Sequence, residues 1–162
     1  MESYENVKFS LIAHSLGSLV TYKALSSPDF PVKTLSNIYS LAGPLAEEAQ
    51  MFGRGMGIEE LAAKVPDLGD TVAHYDFHGG AKDLLVTGSA ARFGGIKEKS
   101  SCPDCFFSME TVKMKNVYTS ISHNWLYFDH SFLNQLVPFI IAQTKLQGKS
   151  GPERVENAKQ ML

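Results

Sequence analysis

Short apolar runs alternate with longer segments of helical spacing along most of this 162-residue chain. The predicted strands have apolar interiors, which is typical of strands covered on both faces. Strands that alternate with helices in this way form a parallel sheet with helices on both sides. We therefore predict an α/β fold with a mostly parallel sheet of about four strands. The predicted strands are 7–13, 37–41, 71–77 and 116–121, and the predicted helices lie at 16–24, within 45–68 and at 131–144.

Two further segments complete the predicted organisation. Residues 88–105 are rich in Gly, Ser and Lys and are predicted to form a surface excursion. Pro138 is expected to kink or divide the last helix, because proline removes a backbone donor. Residues 1–147 are thus predicted to form one domain, and the polar residues 148–162 a flexible tail.

Composition excludes several classes of protein. An apolar fraction of 44% and a charged fraction of 20% fit a globular domain and are too hydrophobic for a disordered chain. A net charge of -2 argues against non-specific nucleic-acid binding, which needs clustered Lys and Arg. No apolar stretch approaches the roughly 20 residues that cross a bilayer, and MESYENVK does not resemble a signal peptide. As written, the chain is expected to be soluble and intracellular.

The two cysteines, Cys102 and Cys105, form a lone C-x-x-C motif in a polar loop. Two cysteines are too few for a disulfide scaffold, and a zinc site would need a second pair of ligands that the sequence does not offer. A redox centre would place the first cysteine at a helix start after a strand, and that context is missing. We expect loop cysteines that pair only in an oxidising compartment.

The sequence Ala13-His14-Ser15-Leu16-Gly17 lies between the first predicted strand and the first predicted helix. A serine at such a turn is typical of a nucleophile elbow, in which the backbone is strained and the hydroxyl is exposed. The residues two before and two after the serine must be small, and here they are Ala13 and Gly17. The helix dipole and the backbone N–H of Leu16 would stabilise a developing oxyanion. The alternative interpretation is a serine that caps the helix.

An elbow serine needs a base, and the base needs a carboxylate that orients it. In this fold the order along the chain is serine, then aspartate or glutamate, then histidine, with each partner in a loop after a later strand. Asp83 follows the third predicted strand, and His130 follows the fourth at the start of the last helix. We therefore predict Ser15 as the nucleophile, Asp83 as the orienting acid and His130 as the base.

Other residues compete for these roles. His123 also follows the fourth predicted strand but comes earlier in the loop, which makes it the alternative base. Asp76 is the alternative acid, although it lies inside a predicted strand, and Asp129 is expected to cap the last helix. The remaining histidines, His14, His74 and His78, are expected to be structural or solvated.

Three segments resemble the α/β-hydrolase domain of the GPI inositol-deacylases and related lipase-like proteins: AHSLG at 13–17, GGAKDLLV at 79–86 and WLYFDHSFLNQLVPFI at 125–140. The resemblance implies the same three residues, Ser15, Asp83 and His130, as the catalytic set. It implies removal of the acyl chain from the inositol of a GPI anchor at the endoplasmic reticulum membrane, without a metal or organic cofactor. The implied substrate is therefore a lipid or another acyl ester.

The chain departs from that family in two places. Residues 41–44 read LAGP, where the family shows a Ser/Thr-Pro-His run, so the acyl pocket is expected to differ. The family also has strands before the elbow strand, and a loop among them supplies the second oxyanion donor. We therefore expect this sequence to be the C-terminal part of a larger hydrolase. It would be either a weak esterase or a catalytically impaired module that binds a partner, such as the missing N-terminal half, along the open sheet edge.

The Gly- and Met-rich residues 51–57 fit either a lid over an acyl chain or an ordinary surface loop.

Overall fold

The structure is a computed structural model that describes residues 7–46, 50–51, 54–55, 57–79, 83–86, 93–117, 123 and 128–162. Its strands are β1 (Phe9–His14), β2 (Leu35–Leu41), β3 (Gln50–Met51), β4 (Arg54–Gly55), β5 (Ala73–His78) and β6 (Phe106–Glu110). Its helices are α1 (Leu16–Leu25), α2 (Ile58–Lys64), α3 (Gly94–Glu98), α4 (His130–Lys145) and α5 (Gly151–Met161).

Four strands form one parallel sheet in the order β1-β2-β5-β6. Every residue of the two central strands, β2 and β5, is buried, including polar residues such as Asn37 and Asp76. Because the strands are parallel, their carboxyl ends all lie at the same end of the sheet, where the residues that follow them can come together. The predicted α/β class and the four-stranded parallel sheet are confirmed.

Helices cover both faces of this sheet. On one face, Tyr39 and Tyr75 stack with their ring centroids 5.1 Å apart, and Phe139 of α4 packs edge-on against both rings. The opposite face packs against α1, α2 and α3, with Tyr22 and Ile96 among the buried residues. The two faces bury separate apolar clusters, which fixes the order of layers as helix, sheet, helix.

The strand β1 lies at one edge of the sheet. It pairs with β2 on one side, and no strand of the described residues pairs with its other side. Its residues are only partly buried, and the side chain of Ile12 is 56% exposed. Among the helices that the structure describes, none is long and apolar enough to cross a membrane.

The fourth strand lies elsewhere than the sequence predicts. It is β6, formed by Phe106–Glu110, whereas Asn116 and Val117 of the predicted strand 116–121 are not in a strand. Asn116 has a φ of 59°, which is left-handed and incompatible with a strand. Residues 118–121 lie outside the described residues. The prediction of a strand that starts at residue 116 was wrong.

The predicted surface excursion at 88–105 contains regular structure within its described residues, 93–105. Its described part contains α3 and a 3-10 turn at Pro103–Cys105, and Cys102 and Cys105 are joined by a disulfide. Both cysteines are buried beside the apolar cluster under α3. They are therefore part of the core rather than of a polar surface loop.

Two helices, α4 and α5, come last among the described elements. Pro138 lies inside α4, which runs from His130 to Lys145, so of the two predicted effects of this proline the division of the helix does not occur. Residues 148–162, predicted to be a flexible tail, form the helix α5, which begins with a capping box between Ser150 and Glu153. Arg154 of α5 is fully buried and donates to the carbonyl oxygens of Ser36 and Thr71 and to the side chain of Asn37. These bonds hold α5 against the sheet.

Candidate active site

Ser15 occupies a strained turn between β1 and α1. Its φ of 51° and ψ of -126° are rare for a residue with a side chain. The turn is fixed by the backbone N–H of Ser15, which donates to the carbonyl of Leu41 at the end of β2, 2.8 Å away. Its hydroxyl makes no capping bond to α1. The arrangement is that of a nucleophile elbow, and it does not fit the alternative of a serine that only caps a helix.

Close packing surrounds the elbow. A Cβ atom at Gly43 would lie 2.3 Å from the Oγ of Ser40 and 2.5 Å from the Cβ of Ser18, so only glycine fits there. A Cβ atom at Gly17 would lie 3.8 Å from the Cβ of Ala13, which is ordinary contact. Alanine, which is also a small residue, would therefore fit at position 17.

Asp83 is buried directly after β5. Its Oδ1 accepts the backbone N–H groups of Leu85 and Val86 at 3.0 and 2.8 Å, which orients the carboxyl group. Its Oδ2 lies 2.7 Å from the Nδ1 of His123. The predicted acid thus lies in the cluster, held on one side by its own loop.

His123 joins the other two residues. Its Nε2 lies 2.7 Å from the Oγ of Ser15, and its Nδ1 faces Asp83. Because a carboxylate only accepts, Nδ1 of the neutral ring carries the hydrogen, and Nε2 is left to accept the hydroxyl proton of Ser15. His123 is 5% exposed, so the chain of bonds is screened from bulk water.

His130, the predicted base, is not brought to Ser15. It is the first residue of α4 and is exposed, and Asp129 caps this helix by accepting the backbone N–H of Phe132 at 2.8 Å. The structure therefore corrects the sequence prediction, because the alternative base, His123, fills the position between Ser15 and Asp83. The sequence offers one weak indication of His123, which is that it lies closer than His130 to the apolar segment 116–121.

The other candidate residues have separate contacts. Asp76 accepts from the hydroxyl of Ser108 on β6 at 2.7 Å and lies 4.0 Å from the Nε2 of His78. His74 shares a 2.7 Å hydrogen bond with the hydroxyl of Tyr22, and burial lowers the pKa of His74 to about 3. These contacts stabilise the fold on either side of β5.

The predicted oxyanion donor, the N–H of Leu16, opens helix α1 directly after Ser15. The first N–H groups of a helix have no carbonyl partner within it, and they lie at the positive end of the helix dipole. Of the predicted lid at 51–57, Met51, Arg54 and Gly55 belong to the antiparallel pair β3–β4, and Gly57 precedes helix α2.

Comparison with solved structures finds related architectures. A protein described as a "putative cell surface hydrolase" from Lactobacillus plantarum WCFS1 superposes with a TM-score of 0.54 at 17% identity, over 96% of this chain and 60% of its own. An esterase domain from a Rhodothermus marinus protein has a TM-score of 0.48 at 14% identity, over 88% of this chain and 60% of its own. This chain therefore spans about three fifths of the length of either protein.

No protein-family model and no curated protein sequence matches this chain. The likeness to the Lactobacillus plantarum protein shows an α/β-hydrolase-type fold. A sequence identity of 17% shows the fold and supports no statement about the activity of this chain.

Proposed function

We propose that this chain is a serine carboxyl-ester hydrolase domain in which Ser15 is the nucleophile, His123 the general base and Asp83 the acid that orients the base. The observation that carries the proposal is the continuous chain of hydrogen bonds from Asp83 through His123 to Ser15, with Ser15 at a strained elbow. A capping serine or a structural histidine has no need of this arrangement.

The geometry suits acyl transfer. His123 takes the hydroxyl proton of Ser15 at Nε2 as the oxygen attacks the ester carbonyl, and Asp83 stabilises the imidazolium that forms. The N–H of Leu16 donates to the oxyanion of the tetrahedral intermediate. His123 then protonates the departing alcohol, and a water molecule activated by the same ring hydrolyses the acyl-enzyme.

Exposed apolar side chains support an apolar acyl substrate. In the sequence, Leu16 follows the nucleophile, and Leu84 and Leu85 follow the acid. All three leucines are exposed, and Leu84 is 89% exposed. Large apolar side chains exposed next to reactive groups are typical of a site that binds an apolar ligand.

The resemblance to the GPI inositol-deacylases makes the acyl chain on GPI inositol the specific substrate that we propose, with the endoplasmic reticulum membrane as its location. Two of the motifs behind that resemblance carry Ser15 and Asp83 of the hydrogen-bonded set. The third motif carries His130 rather than His123. The assay with this substrate therefore has to compare a His123 variant with a His130 variant.

A second candidate function is binding by strand addition at β1. The observation that favours it is the unpaired side of β1 among the described residues, with Ile12 exposed. An extended segment, including one from an N-terminal half of a hydrolase fold, could hydrogen bond along this edge.

Labelling with a fluorophosphonate distinguishes these functions, because the reagent reacts with an activated serine. We expect labelling of the wild-type chain and hydrolysis of p-nitrophenyl butyrate, both lost in Ser15→Ala. A folded wild-type protein that remains unlabelled would exclude the hydrolase and favour the binding module. Hydrolysis of an inositol-acylated GPI glycolipid, compared with a diacylglycerol, then tests the substrate.

A further inference from the structure

His14 contacts the main chain of His123 from the position next to Ser15. Its Nε2 lies 2.9 Å from the carbonyl oxygen of His123, and the two imidazole centroids are 4.8 Å apart at an angle of 43°. Because a carbonyl oxygen only accepts hydrogen bonds, Nε2 of His14 carries the hydrogen and donates it. The bond joins positions that are 109 residues apart in sequence.

The end of β1 therefore holds residue 123 at two points. Ser15 contacts its imidazole, and His14 contacts its carbonyl oxygen. The backbone between these two contacts is short and is itself fixed by the bond from Ser15 N–H to the Leu41 carbonyl. A displacement of the His123 main chain away from Ser15 would thus also break its bond to His14.

We propose that His14 is a positioning residue, which holds the main chain of His123 so that the base stays within reach of Ser15. This role rests on the proposed hydrolase function. A misplacement of about 1 Å between reacting groups can cost roughly 10²-fold in rate, so a bond that limits such movement acts mainly on kcat. Burial also lowers the pKa of His14, which keeps its ring uncharged beside the imidazole of His123 near neutral pH.

Glutamine and asparagine at position 14 distinguish this positioning role from simple packing, because their side-chain amides differ in length. The amide nitrogen of glutamine stands where Nε2 stands in histidine, whereas that of asparagine reaches only the position of Nδ1. His14→Gln therefore keeps a donor for the carbonyl of His123, while His14→Asn and His14→Ala lose it. His74→Gln is the matched control, because His74 is also a strand histidine with a hydrogen bond, is more deeply buried than His14, and lies at the opposite end of its strand from the site.

The experiment measures p-nitrophenyl butyrate hydrolysis by these four variants and the wild type. For His14→Ala and His14→Asn we expect kcat to fall by up to about 10²-fold with KM nearly unchanged. His14→Gln should recover most of the rate, and His74→Gln should keep the wild-type kcat. Equal rates in His14→Asn and His14→Gln would overturn the proposal, and this pair decides even if His14→Ala does not fold.

A second readout does not depend on turnover. In protein labelled with ¹³C at the histidine Cε1, we expect the signal of His123 to shift and broaden in His14→Asn and to return to its wild-type position in His14→Gln. An unchanged His123 signal in His14→Asn would overturn the positioning role. Should the wild type hydrolyse no ester, the proposed hydrolase function fails, and this spectrum still decides whether His14 holds His123.

Discussion

The Oγ of Ser15 and the Nε2 of His123 are 2.7 Å apart, although 108 residues separate them in the sequence. The fold produces this contact because β1 and β6 run in the same direction in one parallel sheet, so that the residues after them meet at the same end of the sheet. Asp83 follows β5 at this end and contacts the other nitrogen of the ring. The reactivity of Ser15 therefore depends on one imidazole that is held between two loops.

Removing that imidazole should abolish most esterase activity. We expect His123→Ala to lower kcat/KM for p-nitrophenyl butyrate by at least about 10³-fold, because the serine loses its general base. His130→Ala should stay within about twofold of the wild type, because His130 is exposed at the start of α4. The reverse result, with His130→Ala inactive and His123→Ala active, would show that the site closes differently during catalysis.

Replacing the carboxylate of Asp83 should leave the loop intact and stop the chemistry. In Asp83→Asn the remaining carbonyl still accepts from Leu85 and Val86, but the new amide donates toward Nδ1 and forces the hydrogen onto Nε2. His123 then cannot accept the proton of Ser15, and we expect a loss of about 10³- to 10⁴-fold in kcat. Asp67→Asn is the control, since Asp67 accepts backbone N–H groups in an exposed loop. Similar rates for both variants would contradict the role of Asp83.

Two glycines near the elbow should respond to alanine in opposite directions. Gly43→Ala places a methyl group within 2.5 Å of Ser40 and Ser18, and we expect the free energy of unfolding to fall by about 1–3 kcal/mol. Gly17→Ala adds a methyl group at ordinary contact distance within α1 and should raise it by up to about 1 kcal/mol. Urea unfolding of both variants measures this difference. A Gly43→Ala protein as stable as Gly17→Ala would show that the packing around the elbow is looser than described.

The buried ring of His74 should make the fold sensitive to acid. Burial lowers its pKa in the folded state to about 3, whereas the unfolded chain binds the proton near the usual value of about 6.5. Stability is therefore full above pH 6.5 and falls toward pH 3, by about 1 kcal/mol per pH unit, because only the unfolded state takes up the proton. His14, whose pKa is also lowered, acts in the same direction. Urea unfolding between pH 7 and 4.5 should show this slope, reduced in His74→Gln; an equal slope in that variant would refute the assignment.

The buried cation of Arg154 should contribute strongly to stability. Arg154→Met leaves the carbonyl oxygens of Ser36 and Thr71 without their donor, and we expect a cost of about 3 kcal/mol in the free energy of unfolding. Lys159→Met, on the exposed face of the same helix, should change it by less than about 0.5 kcal/mol. Thermal unfolding followed by circular dichroism compares the two variants. Equal melting temperatures would mean that α5 contributes little to the fold.

The local part of the site is readable from the sequence. The elbow at Ser15 depends on neighbouring residues, and Asp83 lies shortly after a strand that the sequence predicts at 71–77 and the structure places at Ala73–His78. The choice between His123 and His130 depends instead on the path of a loop, about which periodicity says nothing. His130 also stands at a helix start, where an exposed first turn keeps the side chain in solvent.

Two elements were missed for physical reasons. The strand β6 is five residues long and ends in Ser, Met and Glu, so it carries neither an alternating nor a continuous apolar pattern. The helix α5 is polar and has few apolar residues, because its buried face includes a charged side chain, Arg154. Its capping box, Ser150 followed by Glu153, was the signal that could have identified it.

The anchoring of α5 by Arg154 also affects how the chain folds during synthesis. The carbonyl groups that Arg154 satisfies lie beside the amino ends of β2 and β5, yet this arginine leaves the ribosome after every other described element. A nascent chain therefore carries open acceptors at the base of its central strands until α5 has been synthesised. Its sheet can collapse early, but these acceptors are satisfied only when α5 docks, so a nascent chain that still lacks α5 depends on chaperones at the amino ends of β2 and β5.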